Sequence, residues 1–429
     1  MTQNLNTDLI QFLKNSPTPF HAVSQMASQL VAAGFIELFE QDAWSLEPGK
    51  TYFVIRNGSA LVAFKTGNEK FGSTGFRLAG THTDSPCLKV KPSPEIAKNG
   101  YLQLGVEVYG GALLSPWFDR DLSLAGRVHF LNDKGTIESA LVNFLAPIAF
   151  IPSLAIHLNR DANEGRKINA QQELPPVLLQ TGDSFSLDEL LLTQLKTSLS
   201  ETKPARVLSH ELFFYDTQSP ALVGVHSQFL ASARLDNLLS CFVACRSLID
   251  SNNDHASVLV CNDHEEVGSM STTGAQGPLL KSVLERALNS LNKTDDALAR
   301  SIHQSLMLSI DNAHGVHPNY VDRHDDQHKP LLNAGPVIKL NANQRYASNS
   351  HSVASFIAIC DAAKVPYQSF VMRTDMACGS TIGPITASGL GVETVDIGVA
   401  TFGMHSIREL AGAQDPELLG KAVTKFYSR

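Results

Sequence analysis

Apolar residues recur along this chain in two textures, and their alternation outlines the architecture. Asn6 to Lys14 carries Leu9, Ile10, Phe12 and Leu13 behind Thr7, which is suited to cap a helix, and Phe20 to Ala33 repeats apolar residues at helical spacing. Ser16-Pro17-Thr18-Pro19 forces a bend between these two predicted helices. Thr51 to Arg56 and Ala60 to Lys65, joined by Asn57-Gly58-Ser59, predict a hairpin. Short Val- and Leu-rich runs at Val258 to Cys261, Leu306 to Ile310 and Val392 to Val399 read as strands buried on both faces, with Phe76 to Gly80 and Gln368 to Met372 as further strands. Helical spacing returns at Leu238 to Asp250, Pro278 to Leu291 and Ser348 to Ala363, and Ile407 to Leu410 is expected to open the final helix.

From Ser93 to Leu230 the texture changes. Leu102 to Val108, Leu122 to Phe130 and Thr136 to Val142 alternate or run apolar, with the turn Asn132-Asp133-Lys134-Gly135 between two of them. Ala146 to Ile156 is nearly unbroken hydrophobic yet holds Pro147 and Pro152, which predicts a buried or interfacial extended stretch. Asp161 to Pro176 reads as loop and Ser186 to Ser200 as a helix. The expected fold is α/β: a mixed-sheet domain with helices on both faces, residues 1–92 plus 232–429, interrupted by an inserted β-rich domain, residues 93–231.

With 429 residues, the chain exceeds one ordinary core. Hydrophobic residues at 43% and charged ones at 18% describe a globular protein without a membrane span, and Met1 to Lys14 lacks the features of a secretory signal. Six cysteines without a C-x-x-C pair argue against zinc ribbons and a disulfide scaffold, and fit a reducing cytoplasm. A net charge of -8 disfavours binding to nucleic acid.

The candidate chemistry lies where the buried strands end. Val258 to Cys261 delivers Asn262-Asp263-His264-Glu265-Glu266-Val267-Gly268-Ser269, and open α/β sheets place their chemistry at carboxyl ends of strands. Two adjacent carboxylates repel, so a divalent metal is an economical partner, with one Glu ligating and its neighbour acting as general base. A solvated loop is the plain alternative. Phe76 to Gly80 leads into Thr81-His82-Thr83-Asp84, where Asp84 can accept the distal N–H of His82 and fix its tautomer. Asp311 follows Leu306 to Ile310, His405 follows Val392 to Val399, and Asp236 opens a helix. Each alone could be a cap or turn residue. Together, His82, Asp236, Glu266, Asp311 and His405 suit two metals sharing a carboxylate, with zinc, manganese or cobalt fitting the mix of imidazole and carboxylate. His324-Asp325-Asp326-Gln327-His328 is polar enough to be a solvated loop.

These motifs carry a resemblance. Gly80-Thr81-His82-Thr83-Asp84-Ser85-Pro86, Leu235-Asp236-Asn237, Asp263-His264-Glu265-Glu266-Val267-Gly268-Ser269, the run from Asp311 to Asn319, and Met404-His405-Ser406-Ile407-Arg408-Glu409 resemble the M18 metallopeptidases, the aspartyl aminopeptidase family. The resemblance implies that His82 and Asp311 hold one metal, Glu266 and His405 the other, and Asp236 bridges. It implies Glu265 as catalytic base and Asp84 as the residue orienting His82; the residues alone do not order Glu265 and Glu266. The implied activity is hydrolysis of peptides at a free N-terminus through a metal-bridging water, with Asp or Glu preferred as first residue. Lys339 stands where the family has a basic residue for that side chain, although a solvent-facing strand-edge lysine is an equal reading. The resemblance further implies a homo-oligomer, a closed tetrahedral dodecamer, with His157 reaching a neighbouring subunit's site. His317, six residues from Asp311, is a candidate for binding substrate by stabilising the oxyanion. Gly-x-Ser-x-Gly, His-Glu-x-x-His and phosphate-loop motifs are absent. The rivals are a two-metal deacylase or carboxypeptidase on the same sheet, and a non-catalytic binding or assembly protein.

Overall fold

The computed structural model describes residues 2–68, 71–180, 185–200, 202–291 and 294–429. The chain divides into two compact units, one of Met1–Asp84, Pro220–Met404 and Glu409–Arg429, the other of Ser85–Ser219 and His405–Arg408. Both boundaries thus fall earlier in the chain than the expected 93 and 231, and pairing explains why. Cys87–Lys98 is an antiparallel partner of Tyr101–Tyr109 in the second unit. At the other junction, Ala221–Val223 pairs with Phe229–Ser232, which pairs in turn with Glu409–Gly412 in the first.

The first unit is built on a nine-stranded mixed sheet. At its middle Ser257–Asn262, Arg77–His82, Leu306–Ile310 and Glu393–Gly398 run parallel, in that order. Alternate residues of one strand feed different cores. Leu259 and Cys261 join the cluster containing Leu238, Phe242 and Leu419, while Val258 and Val260 join that of Leu279, Val283 and Leu284. Helices therefore cover both faces, and each fully buried leucine contributes about 1.5–3 kcal/mol. Thr51–Arg56 and Ala60–Lys65 form the expected hairpin, with Asn57 at φ 52° and Gly58 at φ 68° in the left-handed region within the tight three-residue connection.

One expectation is overturned at the carboxyl end. Ile407 to Leu410 does not open the last helix: Glu409–Gly412 is a strand, and the helix is Asp415–Tyr427 with Pro416 in its first turn. Four residues satisfy helical and extended spacing alike, and here Phe229–Ser232 and Ala400–Phe402 supply strand partners on both sides.

The second unit is a six-stranded antiparallel sheet, with Leu187, Leu191 and Leu195 of the Leu187–Ser198 helix buried at one-turn intervals. In the apolar stretch near residue 150, Ile151 is buried but Leu154, Ile156 and Leu158 are exposed. Among the described residues no helix is long and apolar enough to cross a membrane.

Candidate active site

Parallel register brings the strand ends together. Asn262 lies beside His82, and Ser309 beside Gly80, so Asp84, residues 263–266 and Asp311 emerge at one edge of the sheet. Gly398, on the next strand, permits this close approach: a Cβ there would fall 1.7 Å from the Asp311 carbonyl oxygen.

His82 is buried, and its two nitrogens face different groups. Nε2 is 3.4 Å from Asp236 Oδ1 and 3.6 Å from Asp311 Oδ1. Nδ1 is 3.1 Å from the Asp84 carbonyl oxygen and 3.4 Å from Asp84 Oδ1. The Asp84 carboxylate also holds the loop that carries the glutamates. Its Oδ1 accepts the backbone N–H of Glu265 at 3.2 Å, and its Oδ2 that of Glu266 at 3.1 Å. One residue thus fixes both the imidazole and the main chain of the acidic pair.

The acidic pair follows a left-handed residue, His264 (φ 62°), and opens the short 3-10 turn Glu265–Val267. One ligand atom each from His82, Asp236 and Glu266 lies within 4.8 Å of the others. Burial, followed by the carboxylates of Asp311, Asp84 and Asp236, pushes the Glu265 carboxyl up to about 8 against the pull of His82. The Glu266 carboxyl is also raised, by burial and then Asp236. Burial opposes ionisation of Asp311 too, yet Lys339 and His82 hold its carboxyl well below the usual range. Such a crowd of buried carboxylates around one imidazole is the donor set a divalent cation neutralises, so the residues present fit a metal.

Asp236 sits where the Leu235–Asp250 helix begins but has not become regular: it has φ -83° and ψ 105°, and its bond to Asn237 is cis. Its N–H donates to Glu409 Oε2 at 3.0 Å, and Asn237 Nδ2 donates to the Ile310 carbonyl at 2.8 Å, one residue before Asp311. Sequence reading missed both braces. Both residues stand in the quoted motifs, Asn237 in Leu235-Asp236-Asn237 and Glu409 at the end of Met404-His405-Ser406-Ile407-Arg408-Glu409, but residue type gave neither a bracing role.

Lys339 is not a solvent-facing lysine. It is buried on the Val337–Leu340 strand, with Nζ 3.5 Å from Asp311 Oδ2, 3.2 Å from the Asn312 carbonyl and 5.1 Å from the centre of the Tyr346 ring. His317 packs between Tyr320 and Phe402, and its Nδ1 accepts the Asn319 N–H at 3.2 Å, which leaves the neutral ring's proton on Nε2. His157 is exposed in the second unit. His405 groups with that unit as well, its Nδ1 3.1 Å from the Gly111 carbonyl oxygen. His328 Nδ1 is 2.6 Å from Asp325 Oδ1 in a polar loop.

The family model of the aminopeptidase I zinc metalloproteases (M18) matches residues 12–427. The chain belongs to the M18 aminopeptidase family. It is therefore a peptide hydrolase from a family of zinc metalloproteases. The probable M18 family aminopeptidase 2 of Ectopseudomonas mendocina is 58% identical over 429 residues, covering 100% of this chain and 99% of that one. A chain in the cryo-EM structure of the Ape4 and Nbr1 complex is 38% identical, with a TM-score of 0.96 over 99% of this M18 chain and 86% of that one. The S. cerevisiae mApe1 dodecamer structure matches at 30% identity and a TM-score of 0.86, covering 98% and 95%.

Proposed function

We propose that this M18 aminopeptidase removes the first residue from peptides bearing a free α-amine, with Asp or Glu preferred, and that it works with two divalent cations, zinc first, with cobalt or manganese as alternatives. The observation that carries this reading is the group of donor atoms from His82, Asp236 and Glu266 within 4.8 Å of one another, with Glu265 beside it. His82 and Asp311 would hold one cation, Glu266 and His405 the other, and Asp236 both. Cations bound there would acidify water and polarise the scissile carbonyl. Glu265 takes the attacking water's proton and passes it to the leaving amine; a carboxyl group perturbed toward neutrality is suited to both halves of that transfer. Asp84 orients His82 and keeps the main chain of both glutamates in place. His317, with its proton on Nε2, would donate to the tetrahedral oxyanion. The acidic cluster would receive the α-ammonium of the substrate. Lys339 would supply charge to an acidic first side chain, sharing its ammonium with Asp311.

A homo-oligomer, in closed tetrahedral dodecamer form, is proposed from the exposed apolar side chains of the second unit and from the dodecamer of the S. cerevisiae relative. In it His157 would reach a neighbouring copy's site. The cytoplasm is the proposed location, in keeping with six free cysteines. The test is a panel of aminoacyl chromogenic substrates and their N-acetylated forms, assayed after chelation and after zinc, cobalt or manganese is restored. Turnover that survives chelation, or equal cleavage of acetylated substrates, overturns the reading.

A further inference from the structure

We propose that the two helices opening the chain, Thr2–Asn15 and Pro19–Ala32, belong to the scaffold of the metal site, with Arg234 as the positioning residue that connects them to Asp236. The inference rests on the reading of Asp236 as a ligand. Arg234 holds φ 59° and ψ 27° where the chain leaves the Phe229–Ser232 strand and turns toward Asp236, two residues on. A long side chain with a Cβ gains nothing from that left-handed conformation, so tertiary contacts must hold it there. The contacts of the guanidinium lead to the elbow between the two helices. Its Nε donates to the Ser16 carbonyl at 3.0 Å, and a terminal N–H donates to the Leu13 carbonyl at 3.3 Å. Leu13 lies in the last turn of the first helix, whose final carbonyls lack helical partners and carry the negative end of the dipole.

The elbow is a firm anchor. Ser16 and Thr18 are buried, Pro17 and Pro19 restrict φ, and Thr18 caps the second helix while its hydroxyl lies 2.8 Å from His21 Nδ1. Burial, and then the charge of Arg234, draws the His21 pKa down to about 4, so a neutral ring borders the guanidinium. Phe12 of the first helix packs against Phe242 of the Leu235–Asp250 helix, with ring centres 5.4 Å apart. Glu409 and Asn237 also hold the same turn. Rotation at Arg234 would carry the Asp236 carboxylate away from His82 Nε2, now 3.4 Å distant.

The test measures zinc affinity of the full-length protein by competition with a chromophoric chelator, alongside far-UV circular dichroism and Tm. Arg234→Gly removes the anchor while relieving the left-handed backbone, and Arg234→Lys keeps the charge without the planar fork. The expected result is a zinc dissociation constant raised about tenfold or more in Arg234→Gly, with an unchanged far-UV spectrum, and an intermediate value in Arg234→Lys. Zinc affinity within about twofold of wild type in a folded Arg234→Gly protein, even with a lower Tm, assigns the elbow to packing alone and overturns the proposal. If Arg234→Gly does not fold, the same criterion applies to Arg234→Lys. Failure of the wild-type protein to bind zinc is a different result, which removes the reading of the site itself.

Discussion

The acidic edge of the first unit and the apolar stretch near residue 150 of the second each leave a free-energy term unrelieved in the single chain, and the two terms differ in kind. At the acidic edge, buried carboxylates raise one another's pKa, and relief requires a cation met by atoms placed to within tenths of an ångström. In the apolar stretch, Leu154 is 52% exposed and Leu158 75%, and relief requires only that enough area leave water. Electrostatic relief is directional, and the edge is accordingly braced by Asp84, Asn237 and Glu409. Hydrophobic relief is not directional, and a surface loop suffices to present it.

Substitutions can break this comparison at either end. Glu265→Gln removes the base and leaves the donor group of His82, Asp236 and Glu266 intact, so turnover should fall about a thousandfold while zinc content measured by atomic absorption stays at the wild-type level. Asp84→Asn leaves one acceptor for two backbone N–H groups and removes the charge beside His82. Zinc affinity by chelator competition should weaken about 10- to 100-fold. In the second unit, Leu158→Asp should raise the dissociation constant of the assembly about tenfold by sedimentation, with zinc content per chain unchanged. The smallest effect concerns pH. Folded, the Glu265 carboxyl keeps its proton up to about 8, against an ordinary value of 4.5, so the metal-free folded state binds the extra proton throughout that window. Its contribution to stability is complete below the lower value and is lost as pH rises through the upper one. Tm of the chelated protein should therefore drop from pH 5 to pH 8 by about a few degrees, less so in Glu265→Gln, and the zinc-loaded protein should show a flatter profile.

The sequence pattern carried the α/β architecture because the buried strands are short, Val- and Leu-rich and end in polar clusters, and the family came from the resemblance of the motifs around His82, Asp236, Glu266, Asp311 and His405. It did not carry the end of the chain, since four residues around Ile407 fit either period and the choice was made by strands far away in sequence. Two adjacent glutamates have no period to tell them apart. In the fold it is Glu266 that brings a carboxylate oxygen into the donor group with His82 and Asp236. The surroundings of Lys339 were equally out of reach, because Asp311 and Tyr346 meet it only through the sheet. Asp84 was legible as a partner of His82 but not as an acceptor for main-chain N–H groups, which leave no trace in residue type.

The two bonds that Asp84 accepts grip the glutamates by their peptide groups and fix the course of the loop independently of their side chains. Ions of unequal radius, if bound there, would be accommodated by torsion about χ bonds, while the loop keeps its course. Discrimination among manganese, cobalt and zinc would be set by rotamer strain in the ligands, with no breathing of the backbone to blur it.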